Sequence, residues 1–124
     1  MKSEPRARVF IVDDDVIIAM DLQDQISSLG YDACGFESDA DLALDRILAL
    51  KPDLVVMDVN LGGRDGMEIV REVHRQIYIP VIYVTAYSAI DLMKRAAGTH
   101  AFQFLAKPFT ERDLGAAIKA ALGE

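Results

Sequence analysis

Polar side chains that could bind a metal ion and accept a phosphoryl group follow four short apolar runs of the sequence. The runs and the residues after them are 8–12 before Asp13, Asp14 and Asp15, 54–57 before Asp58, 81–84 before Thr85, and 102–106 before Lys107. If these runs are parallel strands of one sheet, their carboxyl ends share an edge. That edge would hold carboxylates, a hydroxyl and an ammonium group. The combination suits divalent-metal binding and phosphoryl transfer onto a carboxylate.

Each of these side chains can be given a role in such chemistry. Asp13, Asp14 and Asp58 form a set of hard oxygen ligands, and a few protein ligands completed by water are typical of Mg²⁺. A bound cation and Lys107 would relieve the repulsion among the three carboxylates and neutralise an incoming phosphoryl group. Thr85 offers a hydroxyl to a phosphoryl oxygen. Asp58 stands alone beside a glycine-rich loop, which makes it the candidate nucleophile.

The rest of the chain reads as five strand–helix units. The predicted strands cover 8–12, 31–36, 54–58, 81–85 and about 101–106, and an amphipathic helical pattern follows each of them. Asp15 and Ser38 are expected to cap the first two helices, and Thr110 with Asp113 resembles a capping box for the last. Five units are too few for a closed barrel. We therefore predict an α/β fold with an open, doubly wound parallel sheet.

Composition narrows the possible classes of protein. The chain has 124 residues, 52% of them hydrophobic, so one folded domain over 1–124 is expected. A net charge of -7 disfavours direct nucleic-acid binding, and no apolar stretch approaches the roughly 20 residues that span a bilayer. The single cysteine, Cys34, excludes an internal disulfide. A cytoplasmic location is the default expectation.

The ordered motifs resemble those of the receiver domain of bacterial two-component response regulators, over the whole chain. The matching elements are Val12-Asp13-Asp14-Asp15, Asp58-Val59-Asn60, Asp65-Gly66, Val84-Thr85-Ala86 and Lys107-Pro108-Phe109. Any one of them is weak evidence alone, but their order and spacing together are specific. The resemblance implies a flavodoxin-like (βα)5 fold with a five-stranded sheet of order 2-1-3-4-5. It also implies a chemotaxis-regulator-like domain, here without an output domain.

The resemblance further implies the roles of the site residues. Asp58 would accept a phosphoryl group, in a self-catalysed transfer followed by autodephosphorylation. Mg²⁺ would be bound by Asp14, by Asp58, by the main-chain carbonyl of Asn60, and by Asp13 through water. Lys107 would contact the phosphoryl oxygens.

Switching and tuning positions follow from the same resemblance. Thr85 would also contact the phosphoryl oxygens and would couple to an aromatic residue in the fifth strand, which is Phe104 here. Asn60 and Tyr87 occupy positions that tune dephosphorylation, and we expect Tyr87 to screen Asp58 from water. The Lys107–Pro108 peptide bond is expected to be cis. One departure from the family pattern is Gly62-Gly63, which predicts a more flexible acceptor loop.

The partners implied are a histidine kinase or a histidine phosphotransfer protein upstream and a protein partner downstream. The downstream partner is expected at the face built by the fourth predicted helix, fifth strand and fifth helix, and homodimerisation is left open. Two other functions are weighed against this phosphorylation-dependent switch. One is a magnesium-dependent phosphohydrolase like the haloacid dehalogenases, which have an Asp-x-Asp motif after the strand. Position 60 is Asn here, so the general acid of that motif is missing. The other is a pseudo-receiver, a binding module that is never phosphorylated.

Overall fold

Eleven helices and strands make up the part of the chain that the computed structural model describes, residues 6–86 and 102–124. In chain order they are β1 (Arg8–Val12), α1 (Val16–Ser28), β2 (Asp32–Glu37), α2 (Ala40–Leu50), β3 (Leu54–Asp58), β4 (Asn60–Leu61), β5 (Arg64–Asp65), α3 (Gly66–His74), β6 (Val81–Ala86), β7 (Phe102–Lys107) and α4 (Glu111–Leu122).

The long strands form one parallel sheet of order β2-β1-β3-β6-β7. The short strands β4 and β5 pair separately as an antiparallel hairpin. Counted without that hairpin, the sheet has the predicted order 2-1-3-4-5. The doubly wound fold is therefore confirmed.

The strand register brings the carboxyl ends of the central strands to one edge. Asp58, the last residue of β3, pairs with Val84 of β6, so Thr85 lies one residue beyond that pair. Lys107, the last residue of β7, pairs with Ala86. On the other side of β3, Val12 pairs with Met57, which places Asp13 beside Asp58. The edge predicted from the four apolar runs is therefore formed.

Hydrophobic clusters cover both faces of the sheet, as the near-continuous apolar strands require. The cluster on one face includes Phe10, Val12, Met57 and Tyr83 from the strands, packed with residues of α2 and α3. The cluster on the other face includes Val9, Ile11, Val56 and Ile82, packed with residues of α1 and α4. Alternate strand residues thus belong to different cores.

Helix caps fix where the site elements begin. The side chain of Asp15 accepts hydrogen bonds from the amides of Ile17 and Ile18, so Asp15 caps α1 as predicted. The capping box of Thr110 and Asp113 is also present. The cap predicted at Ser38 is wrong, because Asp39 caps α2. The carboxylate of Glu37 accepts the amides of both Ser38 and Asp39, which moves the start of α2 one residue along the chain.

Gly66, the first residue of α3, lies close to the backbone of β3. A β-carbon at this position would lie 2.2 Å from the main-chain oxygen of Asp58 and 2.9 Å from Met57 Cγ. The first of these contacts is to backbone, which cannot move aside without displacing Asp58. A side chain at position 66 is therefore incompatible with the observed packing.

We predict that Gly66→Ala lowers the free energy of unfolding by about 1–3 kcal/mol, the usual cost of overpacking. Gly115→Ala in α4 is the matched control, because its nearest neighbour would be the mobile end of the Leu29 side chain at 3.1 Å and alanine favours a helix. Urea unfolding of both variants measures the difference. A Gly66→Ala midpoint equal to that of the wild type would contradict this account of the packing.

Candidate functional site

Three carboxylates come together at the carboxyl edge of the sheet. One oxygen from each of Asp13, Asp14 and Asp58 lies within 4.8 Å of the other two. Asp13 is 2% exposed and Asp58 6% exposed, whereas Asp14 is open to solvent. The sequence predicted this grouping, and the geometry suits a single cation that keeps some of its water.

Asp13 is the most deeply buried member of this cluster. Its Oδ1 accepts the amide of Asp15 at 2.9 Å. Its Oδ2 is buried and has no hydrogen-bond donor among the residues that the structure describes. Burial raises the pKa of Asp13 to about 6, although the hydrogen bond from Asp15 opposes the shift. An oxygen that has lost water without gaining a donor is suited to a cation.

Asp58 has a different partner at each oxygen. Its Oδ1 accepts the amide of Asn60 at 3.1 Å, and its Oδ2 lies 3.5 Å from Lys107 Nζ. Burial raises the pKa of Asp58, while the charge of Lys107 acts in the opposite direction. The side chain is therefore oriented at one oxygen and held near a positive charge at the other.

Thr85 and Lys107 complete the polar edge. Thr85 is buried on β6, one residue beyond the strand position that pairs with Asp58. Lys107 ends β7, and the Lys107–Pro108 bond that follows is cis, as expected. The structure therefore brings five predicted site residues to one edge of the sheet: Asp13, Asp14, Asp58, Thr85 and Lys107.

The acceptor loop has a regular conformation. Asn60 and Leu61 pair with Asp65 and Arg64, respectively, in the antiparallel hairpin formed by β4 and β5. Gly62 and Gly63 occupy its turn with φ of 59° and 94°. Two successive residues with positive φ suit a two-residue hairpin turn, and glycine adopts this conformation readily. Gly62 and Gly63 therefore form a tight turn, and the flexibility of the loop stays a prediction.

The side chain of Asn60 is bonded within this turn. Its Oδ1 accepts the amide of Gly63 at 3.3 Å. Leu61 beside it is buried, and the carboxylate of Asp65 accepts the amide of Met67 as the cap of α3. The hairpin therefore has an anchor at each end.

The aromatic residue predicted to take part in switching packs beside the site. Phe104 of β7 pairs with Tyr83 of β6, and their rings are stacked with centroids 5.7 Å apart. Tyr83 is fully buried two residues before Thr85 on the same strand. Tyr87 and the fourth predicted helix lie outside the described residues.

Two residues near the site were not identified from the sequence. Tyr83 looked like an ordinary strand residue, and its register opposite Phe104 could have been found by aligning the two apolar runs. Arg64 forms an ion pair with Asp41 of α2. No sequence signal indicates that pair, because the two residues are far apart in the chain.

Comparisons with known proteins identify the family to which the chain belongs. Residues 9–119 match the family described as the response regulator receiver domain. The transcriptional regulatory protein PdtaR of Mycobacterium tuberculosis is 37% identical over 115 residues, which cover 93% of this chain and 56% of PdtaR. The chain thus spans about half the length of that relative.

Solved structures show the same domain. The PhyR response regulator REC domain of Erythrobacter litoralis is 31% identical with a TM-score of 0.79, and the match covers 96% of this chain and 92% of that one. A signal receiver domain of a diguanylate cyclase from Desulfovibrio desulfuricans is 30% identical with a TM-score of 0.83, over 95% and 94% of the two chains. CheY4 of Vibrio cholerae, 24% identical with a TM-score of 0.84 over 94% of this chain and 99% of that one, shares the fold.

None of the helices in the described part of the chain has the length and apolar character needed to cross a membrane.

The motifs at the sheet edge, the sheet order and the family match all agree. The chain belongs to the response regulator receiver domain family of two-component systems, whose members are phosphorylation-dependent switches.

Proposed function

We propose that Asp58 accepts a phosphoryl group from a histidine kinase or a histidine phosphotransfer protein, with Mg²⁺ bound beside it. The phosphorylated domain then binds a protein partner with altered affinity. The observation that carries this proposal is the position of Asp58, a nearly buried carboxylate that lies within ion-binding distance of Asp13 and Asp14 and 3.5 Å from Lys107. An acceptor of this kind needs countercharge on both sides, and the site provides carboxylates for a cation on one side and an ammonium group on the other.

The donor atoms present fit a hard divalent cation. Asp13, Asp14 and Asp58 would hold it together with the main-chain carbonyl of Asn60, and the exposure of Asp14 leaves room for bound water. The buried Oδ2 of Asp13 is the strongest single indication, because no described residue donates to it. When bound, the cation would neutralise negative charge on the carboxylates and on the phosphoryl oxygens.

The transfer itself uses the side chain of Asp58. One carboxylate oxygen forms a bond to the phosphorus of a phosphohistidine, while the phosphorus–nitrogen bond breaks and its electron pair remains on the imidazole. Lys107 Nζ neutralises charge on the phosphoryl oxygens, and the Thr85 hydroxyl donates a hydrogen bond to one of them. Hydrolysis of the aspartyl phosphate later returns the domain to its resting state.

Exposed apolar residues beside the acid cluster offer a docking surface for the phosphodonor protein. Val16, Ile17 and Met20 on α1 are large hydrophobic residues open to solvent, and α1 begins directly after the cluster. A donor protein whose histidine reaches Asp58 must place its own surface over these exposed residues. Apolar contact there would orient the donor protein.

The conformational change would be transmitted from the site through the stacked rings of Tyr83 and Phe104. A hydrogen bond from Thr85 to a phosphoryl oxygen would displace the end of β6, and Tyr83 on that strand is stacked on Phe104 of β7. We propose that the downstream partner, or a second copy of the domain, binds the face that includes β7 and α4. Asn60 and Tyr87 remain the proposed tuning positions.

The two alternatives make different demands on the site. A haloacid-dehalogenase-like phosphohydrolase would need a general acid at position 60. The residue there is Asn60, whose Oδ1 accepts a hydrogen bond from the amide of Gly63. A pseudo-receiver would lack an acceptor, whereas Asp58 is present here, beside two carboxylates that could hold a cation and the ammonium group of Lys107.

Phosphorylation by a small donor separates these functions. We expect wild-type protein with Mg²⁺ and phosphoramidate to gain the mass of one phosphoryl group, and Asp58→Asn to gain none. Asp24→Asn, which removes an exposed carboxylate of α1, is the control and should be labelled like the wild type. Intact-protein mass spectrometry measures the adduct, and released phosphate measures turnover. Continuous release without an adduct would favour the hydrolase, and no adduct in the wild type would favour the pseudo-receiver.

Removing the buried charge of Asp13 should stabilise the domain when no cation is present. The pKa of Asp13 is raised to about 6 in the folded state, from an ordinary value of 3.8. The folded state therefore holds this proton more tightly, and the free energy of unfolding falls as the pH rises from about 4 through about 6. Asn cannot ionise, so Asp13→Asn avoids that loss.

In EDTA we expect Asp13→Asn to be more stable than the wild type near neutral pH by something of the order of 1–3 kcal/mol. The difference should vanish near pH 3, below the ordinary pKa of 3.8, where Asp13 is neutral in both the folded and the unfolded state. Saturating Mg²⁺ should narrow or reverse it, because only the wild type keeps the full ligand set. Urea unfolding at the two pH values measures the effect, and a pH-independent difference would exclude this origin.

A further inference from the structure

We propose that Arg64 and Asp41 are positioning residues for the acid cluster. Their ion pair ties the acceptor-loop hairpin, β4 and β5, to the first turn of α2, and so holds the hairpin tip beside the cation ligands. This inference rests on the proposed function, because it concerns the same cation site.

The hairpin tip lies against the acid cluster. A β-carbon at Gly62 would be 3.6 Å from Asp14 Oδ2, which is ordinary contact distance. The strand that leads into the tip begins at Asn60, whose amide donates to Asp58 Oδ1 and whose carbonyl is a proposed cation ligand. A shift of the hairpin would therefore move the surroundings of two cation ligands, Asp14 and Asp58, together.

On its outer side the hairpin is tied to α2. Arg64 Nη1 donates to Asp41 Oδ1, and the amide of Asp41 is itself fixed by the cap residue Asp39 at 2.8 Å. The pair spans one side of a cleft of about 330 Å³ between α2 and α3, which carries further carboxylates at Asp65, Glu68 and Glu72. Arg64 thus shares this cleft with several carboxylates, and Asp41 is the one that accepts its hydrogen bond.

The pair is exposed at the surface, with side-chain exposures of 54% and 77% for Arg64 and Asp41. Exposed ion pairs contribute little to stability. The expected effect is therefore on the placement of the hairpin and not on folding. Neutralising either residue should weaken Mg²⁺ binding by about two- to fivefold.

Two substitutions that remove opposite charges distinguish a positioning role from a direct electrostatic effect on the cation. Arg64→Gln removes a positive charge near a cation site and by Coulomb attraction alone would strengthen Mg²⁺ binding, while Asp41→Asn would weaken it. A positioning pair predicts weaker binding in both variants. In the double variant, the direct electrostatic effects would cancel toward wild-type affinity, whereas loss of a shared contact leaves the affinity as low as in either single variant.

Isothermal titration with Mg²⁺ measures these four affinities at one fixed ionic strength. The controls are Arg75→Gln, which breaks an exposed ion pair with Glu72 at 2.6 Å at the far end of α3, and Asp24→Asn, which removes an exposed carboxylate of α1. They should leave the affinity within error of the wild type. Opposite shifts in Arg64→Gln and Asp41→Asn, or wild-type affinity in the double variant, would overturn the proposal.

Amide hydrogen exchange in EDTA provides a readout that needs no cation. The amide of Gly63 donates to Asn60 Oδ1 only while the turn is closed. We expect it to exchange faster in Arg64→Gln and in Asp41→Asn, and unchanged in the two control variants. If the wild type fails to bind Mg²⁺, the proposed function fails, and this exchange experiment alone decides whether the ion pair holds the hairpin. Unchanged exchange in both variants would overturn the proposal.

Discussion

The structure depends on keeping two carboxylates close together with little access to water. Asp13 and Asp58 are both almost fully buried at the end of neighbouring strands, where burial raises the pKa of each; a nearby carboxylate adds to both shifts, Asp58 for Asp13 and Asp14 for Asp58. The amides of Asp15 and Asn60 and the ammonium group of Lys107 offset part of this cost. A cation bound as we propose would offset more of this cost, because it would add positive charge beside both carboxylates.

That constraint explains the arrangement around the site. Four strands, β1, β3, β6 and β7, must end at the same level to bring the carboxylates, Thr85 and Lys107 together, and their register does this. Helix α1 must begin directly after Asp13 and Asp14, so Asp15 caps this helix and is not part of the acid cluster. The backbone of β3 must pass close under α3, which only glycine permits at position 66.

Much of this could be predicted from local pattern. Apolar runs that end in Asp13, Asp58, Thr85 and Lys107 indicated the strands and their common edge, because strand direction and parallel pairing follow from the alternation with helices. The turn at Gly62 and Gly63 was harder, since the same two glycines permit either an irregular loop or a tight hairpin. The ion pair of Arg64 with Asp41 could not be predicted at all, because it depends on how α2 packs beside the acceptor loop.

The division of the apolar residues between the two faces of the sheet has a consequence for how such a sequence can change over time. Val12, Met57 and Tyr83 share their space with α2 and α3, whereas Ile11, Val56 and Ile82 share theirs with α1 and α4. A gain of volume on one face can be offset only by a loss on that face, because the strand backbones lie between the two clusters. Neighbouring positions along one strand should therefore vary independently among related sequences, while positions two apart and across adjacent strands should vary together.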